Sequence, residues 1–431
     1  MNPPADVARR RRDRLDWSFR AFVAGQSVNG LGSMVATVAL PLVAVRRLHA
    51  STFDVGLLEA VEWAPAVVLA LPAGALVERH WRRARTVMAA ANAGQALCVA
   101  AVPLTAATAT LTFQVMVVAA LGAGCFATVF QTAYSPLVRA AVDPDDLLLA
   151  TARLQTGRSV ARVSGPALGG ALAQAVGAAT TLAADAASYL VSLLSVVALP
   201  APTALQPPVA PSSNERAPAV TAAIREGVAC VRTSPVLSTV VVATAMANLF
   251  LTGFGALEVV FLVRVVHVPA ATIGVLFAVS GTGGLAGSLS ATRLSRRFGT
   301  VTLARYAMAI TAPAGILIAV TTPGAGLVLF AVGGIVVGAG IALVSVTFLN
   351  LRLQRCPTDL QARVGATSRV LTSAAIPLGA LAAGALGQAA GTRLALAIVA
   401  VGYVTFSIGL LRSPLLTAAT PPGDHQPEAT G

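Results

Sequence analysis

The sequence has no lysine: all 30 of its basic residues are arginine, against 17 acids, for a formal charge of +13. Charged side chains of all kinds make up 11% of the 431 residues, where an ordinary soluble domain has roughly 25%. That scarcity excludes a water-soluble globule. Cys98, Cys125, Cys230 and Cys356 are scattered with no pair at metal-ligand spacing, and His49, His80, His267 and His425 form no cluster. No disulfide framework, metal centre or catalytic thiol is therefore indicated. No P-loop is present, so ATP hydrolysis by this chain is not expected. The run Gly281-Thr282-Gly283-Gly284 with Gly287 has no strand before it and no suitably spaced acid after it, and reads as small-residue helix packing rather than a dinucleotide loop. Aromatic residues are only 5% of the chain, so any cavity should be mostly apolar, suited to amphipathic compounds.

What the sequence has instead is apolar surface, 56% of all residues. Long apolar runs occupy about 21–45, 52–77, 86–108, 111–138, 147–175, 177–199, 236–263, 270–292, 300–321, 324–349, 360–388 and 393–411. At about 20 residues per crossing, these are twelve membrane spans of an all-α integral membrane protein. The arginines decide its orientation. With the N-terminus inside, 22 arginines flank the inner ends of the spans, while Arg46, Arg47, Arg264 and Arg393 flank the outer ends. The positive-inside rule thus places both termini in the cytoplasm. The same alternation argues against nucleic acid as a partner, because the basic residues form no single patch. Abundant arginine and alanine without lysine point to a high-GC bacterium, hence a bacterial cell membrane.

Polar punctuation marks the helix starts. Ser51 and Asp54 have capping-box spacing at the second span, as do Thr358 and Gln361 at the eleventh, and Asp143, Pro144, Asp145 and Asp146 open the fifth. Residues 200–218 carry six prolines beside Ser212, Ser213, Asn214, Glu215 and Arg216, a composition that cannot bury a core. The expected organisation is a basic N-terminal tail (1–20), a six-helix bundle (21–199), a cytoplasmic linker (200–235), a second six-helix bundle (236–411) and a disordered tail (412–431). Within the linker, Ile224, Val228 and Val231 recur at helical spacing, predicting an amphipathic helix along the inner membrane surface.

The two bundles resemble each other. At an offset of 214 residues, Arg79, Arg82 and Arg83 fall on Arg293, Arg296 and Arg297, and Gly124 falls on Gly338. At an offset of 211, Arg158 meets Arg369 and Pro166 meets Pro377. Duplicated six-helix units about an axis along the membrane normal are a transporter architecture, with the substrate site between the halves near the midplane.

Four segments carry a more specific resemblance. They are Leu71-Pro72-Ala73-Gly74-Ala75-Leu76-Val77-Glu78-Arg79 with Arg82-Arg83; Arg158-Ser159-Val160-Ala161 running to Gly165-Pro166-Ala167-Leu168-Gly169-Gly170; Asp185-Ala186-Ala187-Ser188-Tyr189; and Arg225-Glu226-Gly227 ahead of Ser234-Pro235-Val236-Leu237. In these the chain resembles the major facilitator superfamily, and within it the macrolide-efflux and enterobactin-exporter-like proteins. The resemblance implies a secondary exporter, commonly proton driven, of antibiotics, siderophores or other secondary metabolites. It implies a cytoplasmic gate at Gly74, Glu78, Arg79, Arg82 and Arg83 with Arg293, Arg296 and Arg297, and an antiporter-like bend at Gly165, Pro166, Gly169 and Gly170. Glu78 and Trp81 stand where that loop usually has Asp and Gly.

Ionisable groups in hydrocarbon are costly, about 2.5 to 3.5 kcal/mol each on insertion scales, and by default face a cavity. Glu59 and Glu62 share one face of the second span; Arg158 and Arg162 share one of the fifth, near the midplane. Asp185 lies on the sixth span at a depth Arg162 could reach, Glu258 in the outer third of the seventh, and Arg369 on the eleventh. A carboxylate kept from water beside a second acid can hold a proton, which makes Glu59 or Glu62 the expected coupling group. The alternatives are static pairing of these acids with Arg158 or Arg162, and a packing role for Asp185. The expected protein is thus a monomeric, non-enzymatic antiporter that needs a proton gradient and a lipid bilayer but no organic cofactor. Import or uniport of a small solute, or a non-transporting scaffold or receptor, are the other readings.

Overall fold

The computed structural model describes residues 5–70, 72–74, 83–142, 146–199, 220–356 and 361–412. Among these, thirteen long helices carry the fold. The first six are α1 (Ala5–Leu42, closed by a π-helical turn at Val43–Arg47), α2 (Thr52–Val68), α3 (Ala84–Ala107), α4 (Phe113–Ala141), α5 (Leu147–Val176) and α6 (Ala178–Val197). After α7 (Val220–Thr233) come α8 (Pro235–Arg264), α9 (Ala270–Phe298), α10 (Thr300–Ala319), α11 (Leu327–Arg355), α12 (Gln361–Ala390) and α13 (Thr392–Arg412). Ten described helices are long and apolar enough to cross a bilayer by length and composition. α2 is shorter, at 17 residues, and α5 is diluted by three arginines with glycine, serine and proline. With these two, all twelve expected spans exist as helices. Their outward faces present Leu97, Val118, Leu194, Ile310, Val328 and Leu378, an apolar belt that only lipid would cover.

The helix starts follow local chemistry. Ser51 and Asp54 form both bonds of the capping box at α2. Asp146 precedes α5 without a side-chain cap bond, while Asp143, Pro144, Asp145 and Thr358 lie outside the described residues. α7 docks against α8 and α12, burying Val231 among Leu237, Val241, Cys356 and Val364. Its apolar face is thus turned at least partly toward protein.

The two halves repeat one packing scheme. α1 packs on α5 and α6, α2 on α4, and α3 on α4 and α6; correspondingly α8 packs on α12 and α13, α9 on α11, and α10 on α11 and α13. Between the halves, the main pairs are α2 with α12 and α5 with α9. Both crossings are backbone-close. A side chain on Gly56 would strike the Ala380 carbonyl, and Gly384 lies against Gly56; likewise Gly170 and Gly274 lie against each other. Gly124 and Gly338, matched in the sequence, play one part: each abuts a carbonyl of its neighbouring helix, Glu62 and Ser280 respectively.

Taking the arginine-rich side as the inner one, both crossings lie in the outer half. The buried core agrees. One outer cluster joins Val38, Leu42 and Ala173 to Leu257, Leu262 and Ile273, and a second joins Val55, Leu58 and Leu182 to Val260. The inner clusters are separate: Phe22, Phe130, Tyr134 and Leu154 in the first half, Val240, Met308, Val344 and Phe348 in the second. The apolar core runs across the seam at one side and divides in two at the arginine-rich side, which on that orientation is an inward-facing arrangement.

Candidate functional site

The capped start of α2 sets the depth of Glu59 and Glu62 and turns both toward the seam. Glu59 is half-buried, and its Oε1 lies 3.6 Å from where a Cβ on Gly255 of α8 would stand. The missing side chain at Gly255 is what lets a carboxylate of one half approach the backbone of the other. Glu59 has Glu62 and Glu258 as its charged neighbours, and Glu62 in turn neighbours Asp185. Acids from α2, α6 and α8 therefore lie near enough to repel one another in sequence, Glu258 against Glu59, Glu59 against Glu62 and Glu62 against Asp185, just inside the Gly56/Gly384 crossing. Glu62, one turn further along α2 than Glu59, is exposed. Among the described residues, no ion pair ties any of the four to an arginine. The static pairing with Arg158 or Arg162 considered from the sequence is not found.

Asp185 belongs to a different setting from its neighbours. It is 2% exposed, its main-chain carbonyl accepts from Ser188 Oγ at 2.7 Å with the carboxylate a longer acceptor at 3.4 Å, and it packs at Gly32 of α1. Ser188 also reaches Asn29 at 3.4 Å, and Ser192 receives bonds from Gln26 at 2.9 Å and Asn92 at 3.0 Å. This polar seam between α1, α3 and α6 is held by small residues and short hydroxyls; sequence reasoning did not identify it. Arg162 is not Asp185's partner. Its side chain is exposed, and its carbonyl faces Gly281 of α9.

Arg158 stacks on Tyr134, with Cζ 5.1 Å from the ring centroid. Tyr134 in turn lies 5.9 Å from Phe22 and 5.8 Å from Phe130. Arg369 does not reproduce Arg158 in the second half. Gly165 packs on Leu31 and Met34 of α1 as Gly379 packs on Leu249 of α8, and Gly170 meets Gly274 as Gly384 meets Gly56. The spatial register of α5 and α12 therefore stays at 214 residues, so Arg158 corresponds to Thr372 and Pro166 to Ala380. The sequence match of Arg158 with Arg369 and Pro166 with Pro377 is one turn out.

That register exposes an asymmetry. In the second half a cavity of about 190 Å³ is lined by Asn248, Ser345, Ser368, Thr372, Phe348 and Tyr403, with Arg352 toward its inner end. Ser368 is 3% exposed, and its hydroxyl has no hydrogen-bond partner among the described residues. The equivalent space in the first half is filled by Phe22, Phe130 and Tyr134 beneath Arg158.

The remaining expected site residues divide as follows. Glu78, Arg79 and Arg82 lie outside the described residues. Gly74 has nothing within 4 Å of where its Cβ would stand, so close helix approach at Gly74 is not seen among the described residues. Arg83, Arg293, Arg296 and Arg297 are exposed at the inner face, Arg297 lying over Phe298. Gly165 and Gly169 pack on α1 and Gly170 on α9, while α5 continues as one helix through Pro166. Gly283 and Gly287 lie against Ile335 and Ala339 of α11, the small-residue packing expected. Among the described residues, no three His, Cys, Asp or Glu side chains are grouped to hold a metal ion.

The sequence and the fold both have known counterparts. The Major Facilitator Superfamily model matches residues 22–379. YfiS of Bacillus subtilis (strain 168), an uncharacterized MFS-type transporter, is 27% identical over 399 residues, covering 90% of this chain and 91% of its own. The multidrug efflux pump Tap of Mycobacterium tuberculosis (strain H37Rv) is 29% identical over 417 residues, covering 88% and 91%. Among solved structures, a mutant of the nucleoside transporter NupG superposes with a TM-score of 0.76 at 14% identity, over 94% of this chain and all of that one. A bacterial homolog of the human lysosomal transporter Spinster, inward-facing and unoccupied, gives 0.71 at 14% identity, over 95% of this chain and 99% of that one. At such identity the structures establish a shared fold. With twelve spans in two repeated halves and a family match over most of its length, the chain belongs to the Major Facilitator Superfamily.

Proposed function

We propose that this transporter exports a small amphipathic organic molecule from the bacterial cytoplasm in exchange for protons, by alternating access, as a monomer in the cell membrane with both termini inside. The observation that carries the proposal is the group of Glu59, Glu62 and Glu258 at the seam, with Asp185 sealed behind them, free of arginine ion pairs among the described residues. A set of ionised carboxylates is costly to shut inside an apolar seam, whereas protonated ones are not. Closure over an empty site therefore favours the protonated cluster. A cationic or polar substrate entering from the inside satisfies the deprotonated cluster instead. Proton and substrate compete for one set of groups, and an inward proton gradient then drives the substrate out. The cavity lined by Asn248, Ser345, Ser368 and Thr372 offers an apolar wall with scattered hydrogen-bonding groups to one part of the substrate's body, its volume of about 190 Å³ being smaller than a drug-sized molecule fills. The resemblance to macrolide-efflux proteins and the name of the relative Tap support the outward direction.

Inverted vesicles with an acidified lumen test this. Uptake of fluorescent organic cations and macrolides from a compound panel should rise with the imposed gradient. In Glu59→Gln and Glu62→Gln chains, inserted at parental levels, the gradient-driven part should fall by about tenfold or more. Unchanged pH-dependent uptake in both variants overturns the assignment.

A further inference from the structure

We infer that Arg46 and Arg264 form a duplicated outer latch, one bolt from each half, that holds the inward-facing state shut on its outer side. Arg46, at the end of α1, donates to the Val268 carbonyl at 3.1 Å; Arg264, at the end of α8, donates to the Ala50 carbonyl at 2.6 Å. Donor and acceptor belong to opposite halves in both bonds. The spacing is the same each time, since Arg46 relates to Arg264 as Ala50 relates to Val268. The residue before each accepting carbonyl is a histidine in the left-handed region, His49 at φ 52° and His267 at φ 59°. That conformation is uncommon for any residue but glycine, and its recurrence in both loops marks one duplicated device.

A third bond crosses the seam at the same level. α9 begins after Pro269, which offers no side-chain cap, and its Ala270 N–H donates to Gln174 Oε1 of α5 at 3.2 Å. α2 caps itself through Ser51. The two other outer arginines act within their own halves: Arg47 bonds the Ala106 carbonyl at the end of α3, and Arg393 the Thr321 carbonyl beyond α10, at 2.8 Å. They show that an outer arginine can satisfy a helix-end carbonyl without spanning the seam. Any movement that opens the outer side must stretch both bolts together, so they bias the equilibrium between the inward- and outward-facing states. This rests on alternating access but not on the proton or substrate assignment, and its test uses neither.

In a chain with Cys98, Cys125, Cys230 and Cys356 replaced by serine, an Ala256→Cys reporter sits within the Ala60, Ala256 and Ala380 cluster below the latch. A Ser345→Cys reporter, in a separate chain, lines the inner cavity. A membrane-impermeant maleimide is applied from each side in right-side-out and inverted vesicles. A charge-assisted hydrogen bond to a carbonyl is worth enough that losing both bolts should shift the equilibrium about tenfold. Arg46→Ala with Arg264→Ala should therefore raise outer labelling about tenfold and lower inner labelling, and lysine at both sites should restore most of the parental pattern. Arg47→Ala with Arg393→Ala should leave both rates at parental values. An unchanged outer rate, a rise at both reporters, or an equal rise in the Arg47/Arg393 pair overturns the latch. Where the double alanine chain does not insert, the Arg46→Gln and Arg264→Gln single variants replace it, each expected to raise outer labelling about threefold.

Discussion

Asp185 and Glu59 are both acids inside the membrane, and their neighbours give them different work. Asp185 is sealed between α1 and α6 with Ser188 as its hydrogen-bond partner, while Glu59 reaches across to the other half. An amide can accept the Ser188 bond as well as a carboxylate can. Asp185→Asn should therefore keep gradient-driven uptake within about twofold of the parent, whereas Glu59→Gln loses it. Asp185→Leu, which loses the side-chain acceptor and puts branched bulk against Gly32, should lower unfolding stability in detergent by about 1 kcal/mol, read as a shift in thermal midpoint. A loss of coupling in Asp185→Asn with its midpoint unchanged would move Asp185 into the proton path. All four acids were legible in the sequence because charge is rare in an apolar span. Their convergence was not, because it depends on Gly255 leaving room opposite Glu59, a fact about the meeting of two distant helices. The outer arginines show the same limit: counting flanks sets topology, but not which carbonyl each guanidinium finds.

At the scale of elements, the spans, the capping box at Ser51 and the duplication at Gly124 and Gly338 follow from apolar run length, short-range spacing and offset matching. The register of α5 against α12 does not. Matching arginine and proline residues aligned Arg158 with Arg369, yet the repeat is fixed in space by where glycine admits a neighbouring backbone. Side-chain identity can drift by a turn after duplication; a close crossing cannot, since a methyl group there meets backbone atoms. Gly56→Val and Gly274→Val each place branched bulk in an outer crossing. Both should block full outer closure, reducing transport at least about tenfold in chains that insert and remain monodisperse in detergent. A vesicle assay with parental transport in either variant would remove the crossing from the gating movement. Val at Gly74, by contrast, meets no described neighbour and should leave outer closure untouched.

For the whole molecule, duplication has left two halves that share a packing scheme but not an interior. The first half fills its inner space with Phe22, Phe130 and Tyr134 under Arg158 and supplies three of the four acids; the second keeps that space as a cavity with Ser345, Ser368 and Thr372 on its wall. On the proposed function this gives a division of labour, in which the cavity of the second half holds the body of the substrate and the acids carry the exchange of its polar end for protons. Filling the cavity with Ser345→Leu or Thr372→Leu removes volume and hydrogen-bonding groups on the substrate's side alone. It should raise the KM for a transported compound about tenfold while the ratio of uptake with and without the gradient stays parental. Glu59→Gln should do the reverse, collapsing that ratio with a smaller change in KM. The two effects should also combine independently in the double variant, since the groups lie in opposite halves at different depths. Should the cavity variants lose gradient dependence along with affinity, the body of the substrate would not be held apart from the acids at which its polar end and the proton compete, and the filled interior of the first half would be packing with no consequence for transport.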